Sequence, residues 1–143
     1  LFVGTCPAKN ATGWSFLFNN HQDFNVYKFC GRSDSTDEKS VILDVTARAL
    51  TYFSNFMRRR YYDEHFATIL DEDYVTVYTT LPDLAAVWAS KSYENGFTGE
   101  DRTLWEALVP FLSRPTMRFE DPAPTDAKFT NAAKALAKDG LAK

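Results

Sequence analysis

A chain of 143 residues with a net charge of −3, 45% apolar and 15% aromatic content has the makings of one packed core, and that aromatic wealth excludes general disorder. Residues 1–70 carry 8 basic and 7 acidic groups and residues 71–143 carry 8 and 12, so the clustered positive charge that binds nucleic acid is missing. No apolar run approaches the roughly 20 residues of a bilayer-spanning helix, and no membrane span is expected.

The first residues, Leu1-Phe2-Val3-Gly4-Thr5, lack an initiator Met and the basic and apolar regions of a secretory signal, which reads as a processed start. Cys6 and Cys30 are the two cysteines, and a mutual disulfide is the leading reading. Closing such a loop would stabilise the fold by about 3–4 kcal/mol. It would also place the protein in an oxidising compartment: secreted space, or a periplasm-like or organelle lumen. The alternative is a cytoplasmic protein with two free thiols. Asn10-Ala11-Thr12 fits the N-glycosylation pattern and lies inside the proposed loop.

Up to residue 35, aromatic positions mix with turn formers: Gly4, Pro7, Asn10, Gly13, Asn19-Asn20, Gly31 and Ser33. Trp14-Ser15-Phe16-Leu17-Phe18 and Phe24 to Cys30 read as short strands or, almost equally well, as helical turns. Residues 1–35 are therefore expected to be an irregular or β segment, disulfide-capable, in front of a helical core spanning 36–143.

Ser35-Thr36-Asp37-Glu38 has the spacing of a capping box and should open a helix. Ile42, Val45, Ala49, Phe53 and Phe56 then recur at steps of three and four, predicting a central helix over Ser40 to Tyr62 that extends as far as Phe66. Asp73 to Thr79, rich in β-branched and aromatic residues, reads as a strand. Thr80 is the expected cap of a helix carrying Leu84, Val87 and Trp88, which stops at Asn95-Gly96. The segment Thr98 to Asp101 should start another helix, with Leu104, Trp105, Leu108 and Leu112 on its apolar face and Pro110 kinking or ending it early. Thr116 to Phe119 reads as a short strand. Thr125 is the expected cap of a last helix with Phe129, Ala132, Ala133 and Leu136 inward and Lys128, Lys134 and Lys138 outward. The fold class that follows is α+β and helix-dominated, a single domain over 1–143 with about four helices and a small β element; the alternative is a mainly α bundle.

Few residue patterns point to chemistry. Arg58-Arg59-Arg60 with Tyr61 and Tyr62 joins guanidinium groups to aromatic faces, but successive helical residues point about 100° apart, so the arginines fan around the axis. The competing reading is a solvated helix end. Asp63-Glu64-His65 and Asp71-Glu72-Asp73 concentrate carboxylates near one of two histidines. A Ca²⁺ loop fails there, because Thr76 falls where Gly is needed and Pro82 where the closing Glu belongs. His21 is the other imidazole, and no zinc-ligand spacing includes it. Neither a nucleophile elbow nor a phosphate-binding glycine loop is present, and no metal or cofactor is expected. Trp14, Tyr27, Tyr61, Tyr62, Trp88, Tyr93 and Trp105 suit a ligand pocket, an interface or plain packing.

By elimination the sequence points to a non-enzymatic interaction domain, an accessory or extrinsic subunit docked on a larger protein assembly, with Arg58, Arg59, Arg60, Tyr61 and Tyr62 in the contact. The alternatives are a carrier of a small apolar ligand in an aromatic-lined pocket, and a small hydrolase or lyase using the acids near His65.

Overall fold

The computed structural model describes residues 1–20, 25–60, 75–114 and 117–143; for 20, 25 and 56–60 it describes the backbone alone. The N-terminal segment is three antiparallel strands, β1 (Phe2–Pro7), β2 (Thr12–Asn20) and β3 (Asn25–Ser33). Gly13 opposes Cys6, and Phe16 opposes both Val3 and Phe29. The period of two sends Thr12, Trp14, Phe16 and Phe18 to one face and Gly13, Ser15 and Leu17 to the other.

After β3 the chain forms α1 (Glu38–Arg60), then β4 (Val75–Tyr78), α2 (Pro82–Ser90), a 3₁₀ turn (Ser92–Asn95), α3 (Arg102–Leu112), β5 (Met117–Glu120) and α4 (Ala127–Gly140). β4 pairs parallel with β1, and β5 parallel with β4, giving a mixed five-stranded sheet in the order β3-β2-β1-β4-β5.

This sheet overturns the expectation of a helix-dominated fold with a small β element, and the alternative of an α bundle. The physical reason lies in the glycines, which read as turns in sequence but sit inside strands. A Cβ on Gly4 would come within 2.5 Å of the Ala133 carbonyl oxygen, one on Gly13 would overlap the Ala137 carbonyl, and one on Gly31 would enter the Trp14 ring. They are points of close approach.

α1 packs on the face bearing Phe16 and Phe18, where Leu1, Val3, Val45, Ala49, Leu50, Phe53, Val77, Leu108, Leu112, Met117 and Phe119 form the main core. Ile42, Val45, Ala49 and Phe53 are buried as their spacing predicts. α4 lies on the opposite face against β1, β2 and β3, with Ala133 and Ala137 buried and the Ser15 hydroxyl donating to the Ala133 carbonyl at 2.5 Å. Phe2, Leu17 and Ala133 form a smaller core there, flanked by Phe129 and Leu136.

Several boundaries differ from expectation. The capping box does not close: α1 begins at Glu38, and the Ser35 hydroxyl accepts the Asp37 N–H at 3.1 Å. Thr79, not Thr80, precedes α2 as acceptor, taking the Leu81 N–H at 3.0 Å. α2 ends at Ser90 with Lys91 left-handed at φ 55°, ahead of Asn95-Gly96. Pro110 lies inside α3, which runs on only to Leu112, two residues beyond it. A 3₁₀ turn at 124–126 leads into α4, where Asp126 accepts the Ala123 N–H at 2.9 Å, so Thr125 is no cap, and Ala132 is exposed rather than inward.

The expected disulfide is also overturned. Cys6 lies on β1 opposite Gly13, and Cys30 on β3 opposite Ser15, so β2 runs between them. Two strand spacings separate their backbones by about 10 Å, beyond the 4.4–6.8 Å that a disulfide spans. Both are free thiols of intermediate exposure. The pair therefore gives no argument for an oxidising compartment. Among the described residues no helix is long and apolar enough to cross a membrane.

Candidate binding sites

β1 continues into β2 on one side of the sheet, whereas β4 leads by way of α2 and α3 to β5 on the other. Where connections diverge in this way, a crevice opens beyond the carboxyl ends of the parallel strands. Here its volume is about 420 Å³, and Val3, Gly4 and Thr5 of β1, Glu38, Lys39 and Ile42 of α1, Thr80 and Leu81 after β4, and Thr130 and Lys134 of α4 line it. Val3 and Ile42 are 6% and 5% exposed. The polar groups are three threonine hydroxyls, two ammonium groups and one carboxylate. That carboxylate, Glu38, accepts a hydrogen bond from the Thr5 hydroxyl at 2.5 Å. Lys39 pairs with Asp83 at 3.3 Å and stands 5.8 Å from the Trp105 ring centre. Beside the crevice, the Ser40 hydroxyl lies 2.6 Å from Asp37 and 2.7 Å from Asp101, tying the start of α1 to that of α3.

The second surface lies at the other side of α1. α1 covers β1 and β2 and leaves β3 at the edge of the sheet. An aromatic row runs toward that edge: Trp14 stacks on Phe16 at 6.2 Å, Phe16 on Phe29 at 4.8 Å, and Tyr52 meets Phe29 edge-on at 4.6 Å. Trp14, Tyr27 and Phe29 are half-buried and Tyr52 is 41% exposed. Next to Tyr52 a shallow groove of about 390 Å³ is lined by Ala47, Arg48, Thr51, Asn55 and Ala107.

The residues singled out in the sequence divide among these places. Trp14 and Tyr27 belong to the aromatic row, Trp105 is buried against Phe97 at 5.2 Å, and Trp88 and Tyr93 flank the main core. None of them lines the crevice. The backbone of Arg58, Arg59 and Arg60 closes α1, and nothing is described of their side chains. Tyr61, Tyr62, His21, the Asp63-Glu64-His65 and Asp71-Glu72-Asp73 clusters and the extension to Phe66 lie outside the described residues. Among the described residues no three ligating side chains gather for a metal ion.

Sequence reasoning missed Lys39, Thr80, Lys134 and Tyr52. The crevice residues are scattered over 130 positions and carry no local signature. Tyr52 did carry one: it stands at the margin of the apolar stripe of α1, with Arg48 four residues before it and Asn55 three after.

No family model and none of the curated proteins matches the chain.

Proposed function

We propose that the chain is a non-enzymatic interaction domain that docks on a protein partner along β3 and the adjoining face of α1, the occupant being an extended segment of the partner. The observation that carries this reading is that β3 is the edge strand of the sheet among the described residues, beside a half-exposed aromatic row that ends at Tyr52. An edge strand offers unpaired N–H and C=O groups to an incoming strand, and aromatic side chains next to it supply area at small entropic cost. Nine residues of β3 give length enough for such pairing. Lys28 and Arg32 on the same strand favour a segment with acidic residues.

The arginine run fits the same contact. Arg60 lies eight residues beyond Tyr52 on α1, about 12 Å along the axis, which is within one ordinary interface patch. Arg58, Arg59 and Arg60 are therefore assigned to the rim of the docking surface, with Tyr61 and Tyr62 following them in the chain.

The test is retention of tagged full-length chain in its native assembly, read by sizing of unfractionated extract. Tyr52→Glu should run as the free chain with its circular dichroism unchanged, while Lys138→Glu on α4 should remain in the assembly. An arginine-to-alanine triple variant at 58–60 should be retained less as salt is raised. If Tyr52→Glu is retained like the parent, or the parent itself runs alone, the docking reading is wrong.

A further inference from the structure

We propose that the crevice between α1 and α4 is a binding site for a small organic anion with an aliphatic body, a site separate from the docking face. Its floor and rim differ in chemistry: Val3, Ile42 and Leu81 present aliphatic carbon, while Lys39 and Lys134 stand on opposite helices with Thr5, Thr80 and Thr130 between them. A ligand that satisfies both has an anionic head and a short apolar tail.

The two lysines are available for such a head. Lys134 has Thr130, Asn131, Ala137 and Lys138 at three and four residues' distance on α4, so its own helix offers no acid, and it makes no ion pair among the described residues. Lys39 does have a partner, Asp83, but both side chains of that pair are well exposed, at 39% and 62%. Exposed pairs of this kind contribute little and exchange readily. The one carboxylate of the crevice, Glu38, accepts from the Thr5 hydroxyl and keeps its charge, so the two ammonium groups outnumber it and the lining is net cationic.

Other ligand classes fit less well. A divalent cation would find a single carboxylate among the lining residues, and a nucleobase would find no aromatic face to stack on. The volume of about 420 Å³ is in the lower part of the range for small-molecule sites and suits a head with a tail of a few carbons.

Carboxylate and phosphate heads share this chemistry, and the experiment separates them. The ¹⁵N-labelled full chain is titrated with hexanoate, hexyl phosphate, inorganic phosphate and hexanol while amide shifts are followed. Hexanoate or hexyl phosphate should move Gly4, Thr5, Thr80 and Thr130 saturably, with a Kd of about 1 mM or tighter, and whichever binds more tightly identifies the head. Inorganic phosphate and hexanol should bind at least tenfold more weakly, because each offers half of the complementarity. Lys134→Met should weaken binding about tenfold and Lys134→Arg should restore it. Absence of saturable shifts with both amphiphiles, equal binding of hexanol, or a Lys134→Met variant that binds like the parent each overturns the assignment. None of these outcomes bears on Tyr52 or on retention in an assembly.

Discussion

Phe53 of α1 stacks on Phe18 of β2 with ring centroids 3.8 Å apart and planes within 13° of parallel, joining the central helix to the sheet. Both rings are buried, at 8% and 7% exposure. Phe53→Ala removes a buried ring stacked on Phe18 and should destabilise the protein by about 3–5 kcal/mol. Denaturant unfolding gives the value directly. A loss under about 1 kcal/mol would mean that α1 does not pack on β2 through this face.

The helix bearing Phe53 was legible because its apolar residues repeat at three and four over several turns, a signal that is local and redundant. The meander before it was legible only in part: the runs at 14–18 and 24–30 fit short strands about as well as helical turns, and they fall in β2 and, from residue 25 on, in β3, but the extent of the strands was not readable. Gly4, Gly13 and Gly31 are strand residues chosen for contact with Ala133, Ala137 and Trp14, and those neighbours are up to 129 positions away in the chain. Similarly, two cysteines invite pairing only until the strand between them is known. The crevice shows the same limit, since Thr5, Lys39, Thr80 and Lys134 meet through sheet order alone.

Gly13 gives the sharpest check on how closely α4 sits on the sheet. A methyl group there would overlap the Ala137 carbonyl and approach Leu141 Cγ at 2.9 Å, and a helix carbonyl cannot swing aside as a side chain can. Gly13→Ala should therefore cost about 1–3 kcal/mol despite the gain in strand propensity. The same exchange would be neutral or stabilising if α4 were detached, and thermal unfolding of the variant distinguishes the two.

Cys6 and Cys30 should behave as independent thiols. Each is partly exposed, so both should alkylate in the native protein, and mild oxidation should give no intramolecular cross-link by mass spectrometry. The Cys6→Ser, Cys30→Ser double variant should lose far less than the about 3–4 kcal/mol that a cross-link of this loop would contribute. A two-proton mass deficit in the monomer would show that β1 and β3 approach each other in a way this sheet forbids.

Tyr78 links the sheet to alkaline stability. Its ring stacks on Phe2 at 4.5 Å, and its phenol is held above the ordinary value of 10.0, first by burial and then by the nearby charges of Asp126 and Glu120. All three causes disfavour the phenolate in the folded protein more than in the unfolded chain, where the group titrates near about 10. The folded state therefore holds its proton to higher pH. Tyr78's contribution is fully present below the unfolded value and is lost as pH rises through the raised folded one. Tyr78→Phe keeps the stacked ring and removes the ionisation. Unfolding free energy measured across the alkaline range should consequently fall more steeply in the parent than in Tyr78→Phe, with the two slopes equal below about pH 9. The other tyrosines and the lysines titrate in both proteins, so the difference isolates this one phenol. Parallel slopes throughout the alkaline range would mean that the Tyr78 phenol is not held above its ordinary value in the folded protein.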